Sequence, residues 1–290
     1  MMVAIVTTMM AACSAHKNTA KSRFWQSFTA KYNTYYNGTL AFKDGEQAQE
    51  QGNKDNCTEL IPLYMTGNKA TVKLGSSNYA TAIEKCQKTI KQHSITVKPK
   101  WSKKRPKTLK DKLWLSQKEY NPFLHRAWFL MGEAQFRTGE YMEAASTFAY
   151  IQLLYATKPN VVARARMLEA KCYAELEWFY DAENILMRAQ RDSFPTKLNY
   201  LKAQVNADLD VRQKRYEAAI PNLQLAVKKE KRSLEKAVGI SSPARASRLR
   251  RKSGFWSSRS MSLPTWRLLR DQGESTSKQL SAWYRALSRS

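Results

Sequence analysis

HRAWFLMGEAQFRTGEYMEAASTFAYIQLLYATKP, residues 125–159, has the layout of two short helices joined by a turn. Trp128, Met131, Gly132 and Gln135 recur at spacings of three and four, and Tyr141, Ala144, Phe148 and Ile151 repeat that spacing after Thr138-Gly139. The alternation of large and small residues has a packing cause. Gly132 and Ala144 let two antiparallel helices approach closely, while Trp128, Met131, Phe148 and Ile151 fill the layers on either side. Gly139 supplies the backbone freedom that the turn needs, and Pro159 closes the unit.

This order resembles the tetratricopeptide repeat, W-x2-L-G-x2-Y, then A-x3-F, then P, with Gln135 where the family usually has Tyr. One hairpin is not self-sufficient. Ordering its residues costs roughly 1–2 kcal/mol each, and burying a large apolar side chain returns about 1.5–3 kcal/mol. Neighbouring repeats are therefore required. They follow in register: Ala170, Tyr173, Ala182 and Leu186 up to Pro195, then Ala203, Ala207, Ala219, Leu223 and Ala226, with Leu201, Val205 and Leu209 as a stripe. Ala144, Ala182 and Ala219 are spaced by 38 and 37 residues. Pro221 falls inside the last second helix, where proline costs on the order of 3 kcal/mol and bends or delays the helix. The expectation is an all-α solenoid of helical hairpins, with three repeats over 120–231.

Upstream, Phe24, Trp25, Phe28, Tyr32, Tyr35 and Tyr36 recur at helical spacing and end at Asn37-Gly38; this stripe reads as core of a divergent repeat over 23–95. Residues 44–56 read as a helix end and loop. Tyr79, Ala82, Ile83, Cys86 and Ile90 copy the second-helix pattern, with a first helix expected near 58–74, interrupted by Pro62 and Gly67. Lys and Arg dominate 96–112, and Pro99 and Pro106 break any helix there, so 96–119 reads as a basic linker: a solvated loop, or a contact for anionic headgroups or an acidic partner. Asn121-Pro122 reads as the following helix start.

The twelve uncharged residues MMVAIVTTMMAA lead into Cys13, and Met10-Ala11-Ala12-Cys13 resembles a bacterial lipobox. The resemblance implies a lipoprotein signal over 1–12, acylation of Cys13 and a polar tether over 13–22. Ser14 gives no aspartate-type retention at the inner membrane. The missing basic n-region departs from the pattern; a start site set too far downstream accounts for it. At the other end, composition changes near Arg232: over 232–290 Arg replaces Lys as the main cation and serine is abundant. This tail reads either as a genuine basic disordered segment or, the preferred reading, as the product of a lost reading frame that interrupted a further repeat.

The net charge is +25, of which the tail supplies +10. No basic helix with interleaved stacking aromatics and no nucleic-acid motif accompanies it, so nucleic acid is not the expected partner. With Cys13 acylated, Cys57, Cys86 and Cys172 form an odd set; a Cys57–Cys86 bridge is the less favoured reading, and Cys172 reads as a buried filler. His16, His93 and His125 have no metal-ligand spacing, and His125 reads as exposed. Glu175 with Glu177, and Asp208 with Asp210, point to different sides of a helix and make poor acid/base pairs. No phosphate loop or nucleophile motif is present, so neither an enzyme nor a cofactor or metal site is expected.

What remains is the solenoid's inner surface, lined by first helices. The repeat register places Arg126, Phe129, Glu133, Phe136, Arg137, Arg164, Met167, Lys171, Glu175, Gln204, Asp208 and Arg212 there, either as a groove for a peptide or helix or as an ordinary solvated face. Glu133 is acidic where carboxylate-clamp domains of the family carry an amide. The lipobox, YNTYYNG, NPFLHRAWFLMGEAQF and EAASTFAYI together resemble the large repeat lipoproteins of the Bacteroidetes type IX secretion and gliding-motility machinery, whose members are longer than this chain. That resemblance implies a non-catalytic scaffold at the periplasmic face of the outer membrane that binds other protein subunits of an envelope complex. The alternatives are an adaptor lipoprotein of outer-membrane assembly or nutrient uptake, and a domain separated from an enzyme.

Overall fold

The computed structural model describes residues 17–53, 63–64, 66, 69–101, 107–191 and 194–237, with backbone alone for 190–191 and 227–237. Cys13 with its lipobox, Cys57, Pro62, Gly67 and the tail beyond 237 lie outside the described residues. Those described are helical, with no strand among them: α1 Ala20–Tyr32, α2 Thr34–Gly52, α3 Lys69–Val72, α4 Ser76–His93, α5 Leu109–Leu115, α6 His125–Arg137, α7 Tyr141–Leu154, α8 Pro159–Glu175, α9 Phe179–Arg191, α10 Asn199–Arg212 and α11 Tyr216–Ala237. A 3-10 turn, Thr196–Leu198, precedes α10. The chain divides into two compact units, the first holding α1 to α9 and the second holding α10 and α11.

Within the first unit, packing is sequential. α2 pairs with α4, α4 lies on α6, α6 pairs with α7, α7 lies on α8, and α8 pairs with α9. Small residues set these approaches. A Cβ on Gly132 would stand 2.7 Å from the Phe148 ring, so α6 and α7 meet at a distance that only glycine allows. Ala144 and Ala182 are fully buried at the matching place in α7 and α9, and Ala219 occupies it in α11 of the second unit. Gln135 fills its own place between α6 and α7. It is buried, and its side-chain oxygen accepts a 2.8 Å bond from the Thr147 hydroxyl.

The three hairpins α6–α7, α8–α9 and α10–α11 share one turn. Gly139, Glu177 and Lys214 occupy the left-handed region at φ 81°, 61° and 60°. Each donates its N–H three residues back, to the carbonyls of Phe136, Ala174 and Val211, and the next residue donates five back, to Gln135, Tyr173 and Asp210. This satisfies the carbonyls that a helix end leaves open. Only the first turn uses glycine, and the left-handed conformation costs a side-chain-bearing residue roughly 1–2 kcal/mol. Glu177→Gly and Lys214→Gly are therefore each expected to raise unfolding free energy by up to about 1 kcal/mol, and Gly139→Ala to lower it by about 1–2 kcal/mol, in urea titrations followed by circular dichroism.

Several expectations are corrected. The helix over 23–37 is two helices broken at Asn33, and Asn37-Gly38 lies inside α2 instead of ending a helix. Residues 44–52 continue α2. The partner of α4 is α2 and not a helix near 58–74, of which α3 alone is described: Gly38 meets Lys85 and Cys86, and Gly45 meets the Tyr79 ring. Phe42, Tyr79, Ala82 and Cys86 form the core there with Leu130 and Met131 of α6. Tyr79 also donates to Gln49 at 2.9 Å.

In the aromatic stripe, Phe24, Trp25, Phe28 and Tyr32 are exposed rather than core, because α1 docks by its opposite, polar face; Tyr36, on α2, is exposed as well. The basic linker contains the short helix α5, which Thr108 and Asp111 cap reciprocally. Asn121-Pro122 precedes α6 by a turn instead of opening it; the Asn121 side chain accepts from the Phe123 N–H. α11 begins at Tyr216 and continues through Pro221, so the helix is not delayed, and its backbone remains helical past Arg232 to Ala237. Cys86 and Cys172 are buried free thiols, and burial pushes the Cys86 thiol up to about 12.

Candidate functional site

The residues predicted to line an open groove sit on α6, α8 and α10, and each helix arises where the pattern placed it. Their exposure differs from the expectation. Phe129, Phe136 and Met167 are buried, as is Asp208 in the second unit; Gln204, Arg212, Glu133, Arg137, Arg164, Lys171 and Glu175 are half-buried, and Arg126 is exposed. The cause in the first unit is the neighbour. Arg164 and Lys171 of α8 reach across to the Phe129 and Phe136 rings of α6 and cover part of that face.

That seam is built from charge on ring and charge on charge. The Arg164 guanidinium of α8 stands 4.4 Å from the centre of the Phe129 ring and bonds Glu133 at 2.6 Å. One further pair of turns along α8, the Lys171 ammonium lies 4.1 Å from Phe136 and 3.6 Å from Tyr64. Met167, between them in sequence, is fully buried. α2 joins α6 in the same way: Arg137 pairs with Glu46 at 2.8 Å, and the Gln49 amide donates to the Arg137 carbonyl at 3.0 Å. Burial raises the Glu46 carboxyl above its ordinary value, against the lowering effect of Arg137. Arg126 rests over Phe123 at 5.6 Å. The charges of this face are thus largely neutralised within it, and its rings are covered by cations.

In the second unit Asp208 accepts from Arg212 at 3.0 Å, and Asp210 pairs with Arg215 at 2.9 Å. The two acids are held by different arginines, as expected for side chains on different faces of a helix. Among the described residues no group of three or more His, Cys, Asp or Glu is gathered to hold a metal ion. No protein-family model matches the chain, and no curated protein matches it in sequence.

A second concavity, about 380 Å³, lies where α7, α8 and α9 meet, lined by Gln152, Arg166, Glu169, Tyr173, Asp181 and Arg188. Glu169 is buried there and accepts from the Gln152 amide; burial raises its carboxyl, and that hydrogen bond opposes the shift. Sequence reasoning missed this cleft, since its residues come from three helices with no common spacing. It also missed the apolar surface of the second helices, where Met142, Leu153, Tyr180 and Met187 are exposed. The signal was α7 itself, whose residues are apolar on nearly every side.

His125, expected to be exposed, is half-buried with its ring edge against Tyr155, 6.0 Å between centres. Burial, then the charges of Lys158 and Arg126, lowers its pKa from 6.5 to about 4. The folded ring thus holds its proton less tightly than the unfolded one. Stability contributed by the neutral ring is complete above pH 6.5 and is lost as pH falls toward about 4. Solvent reaches part of the ring and reduces the effect to on the order of 1–2 kcal/mol. His125→Gln is expected to flatten the slope of unfolding free energy against pH in this window; an unchanged slope would contradict the assignment.

Proposed function

We propose that this chain is a non-catalytic tetratricopeptide-type scaffold, anchored by lipid on Cys13 at the periplasmic face of the outer membrane, that binds other protein subunits of a secretion or gliding complex. The observation that carries the repeat reading is the common turn at Gly139, Glu177 and Lys214. Its spacing, 38 and 37 residues, is that of the buried alanines Ala144, Ala182 and Ala219. A recurring hairpin with one turn geometry and one small-residue contact is what stacked repeats require. The scaffold role is supported by exposed apolar side chains on second helices, a surface suited to partners rather than to substrate chemistry. The membrane and secretion assignments rest on the lipobox and the sequence resemblance.

Two measurements test the proposal. Intact mass of the membrane-extracted protein, expressed with its native upstream region, is expected to show a chain beginning at acylated Cys13; an unprocessed soluble chain contradicts the anchor. Crosslinking in cells followed by purification is expected to recover secretion or motility subunits. Recovery of barrel-assembly or uptake proteins in their place would move the protein to the alternative adaptor role.

A further inference from the structure

α1 is amphipathic in the wrong sense for a helix docked on a folded body. Its polar side faces inward: Ser27 donates to Asn121 at 2.9 Å, Gln26 meets the His93 ring nitrogen at 2.6 Å, and the Arg23 guanidinium lies 5.1 Å from the centre of the Trp114 ring. Its aromatic side faces solvent. Phe24, Trp25, Phe28 and Tyr32 are 68%, 60%, 46% and 59% exposed, and the first three rings stack while Tyr32 tilts against Phe28 at 4.9 Å. Spacings of one, four and eight residues from Phe24 place all four on an arc of about 100°. Such a row on a surface helix marks an interaction site.

The charge around it points to the occupant. Lys21 and Lys31 fall on or beside the same arc and are exposed, and no acid occurs between residue 1 and Lys43. The basic segment is tied to the start of this helix: Asn18 donates to the Val97 carbonyl at 2.7 Å, and Lys17, Arg23, Lys98 and Lys100, against the single acid Asp111, line one concavity beside it with Trp114. Trp, Phe and Tyr in a row, flanked by lysines and backed by further cations, is the composition of a helix lying in the headgroup region of a bilayer.

We infer that the outer face of α1 seats on an anionic phospholipid surface, with Phe24, Trp25, Phe28 and Tyr32 inserted among the headgroups and Lys21 and Lys31 paired with their phosphates. The contact extends the membrane location proposed above but requires no acyl chain. It follows that the full-length Cys13→Ser protein, which cannot be lipidated, still binds vesicles.

The test is co-sedimentation of Cys13→Ser protein with vesicles of mixed phosphatidylglycerol and phosphatidylethanolamine, compared with phosphatidylcholine alone. Binding is expected on the anionic vesicles, falling as salt rises from about 0.1 M to about 1 M. Adding Trp25→Ser and Phe28→Ser is expected to weaken binding about tenfold or more, with helicity and thermal midpoint unchanged because both side chains are exposed. Absence of binding by the parent, or equal binding by the aromatic variant, overturns the inference. So does an aromatic-dependent dimer in sedimentation equilibrium without vesicle binding, which would assign the face to a second copy. None of these outcomes bears on acylation, which the intact mass reports separately.

Discussion

Phe148→Ala is expected to lower the unfolding free energy by about 3–5 kcal/mol. The ring is 1% exposed and fills the space between α6 and α7 that Gly132 opens. Removing it leaves a cavity beside a glycine, which has no side chain of its own to fill it. The complementary change tests the same contact from the other side. Gly132→Ala sets a carbon 2.7 Å from that ring, and the overpacking is expected to cost about 1–3 kcal/mol despite alanine's better helix propensity. In the Gly132→Ala, Phe148→Leu double variant the clash is relieved, so the combined loss is expected to be smaller than the sum of the single losses. Urea unfolding monitored by circular dichroism measures the parent, Phe148→Ala, Phe148→Leu, Gly132→Ala and the double variant. A Gly132→Ala protein as stable as the parent would mean that the helices are not held at this distance.

Glu119→Ala is expected to cost a similar amount, about 3–5 kcal/mol, for an electrostatic reason. The Glu119 carboxyl is 1% exposed and accepts from the Ser94 hydroxyl at 2.5 Å, the Ile95 N–H at 3.0 Å and the Asn121 N–H at 2.7 Å. Asn121 extends the network to the His93 carbonyl and to Ser27 of α1. One side chain thus ties the end of α4 to the segment entering α6, and truncation leaves two buried N–H groups without an acceptor. Glu119→Gln keeps one acceptor oxygen and is expected to lose only about 1–2 kcal/mol. Hydrogen exchange at the Ile95 and Asn121 amides gives the local readout: both accelerate in the alanine variant if the carboxyl protects them, and an Ala variant within about 0.5 kcal/mol of the parent would refute the role.

What the sequence disclosed depended on whether a residue had one reason to be where it is. Ala144, Ala182 and Ala219 announced the hairpins because a small residue in a row of large ones signifies close helix contact. The shared turn showed itself only at Gly139, since Glu177 and Lys214 adopt the same left-handed backbone without advertising it. Gly38 misled for the converse reason. After asparagine it resembles a helix stop, yet it permits α2 to touch Cys86. Period alone gives a helix two unlike faces and does not say which one meets the body, so the aromatic row of α1 read as core. The same gap affected the candidate groove. Whether Phe129 is open depends on Arg164 of a helix outside its own hairpin, and no local spacing encodes that neighbour.

The pairing of α2 with α4 across residues 53–75 differs from the other hairpins, whose helices are joined by three residues. Closing the longer excursion costs about 2 kcal/mol more in chain entropy. The difference predicts an order of assembly in which α6 and α7 meet first and α2 and α4 condense onto α6 afterwards. Substitutions at Phe148 are thus expected to slow refolding, whereas those at Tyr79 chiefly hasten unfolding.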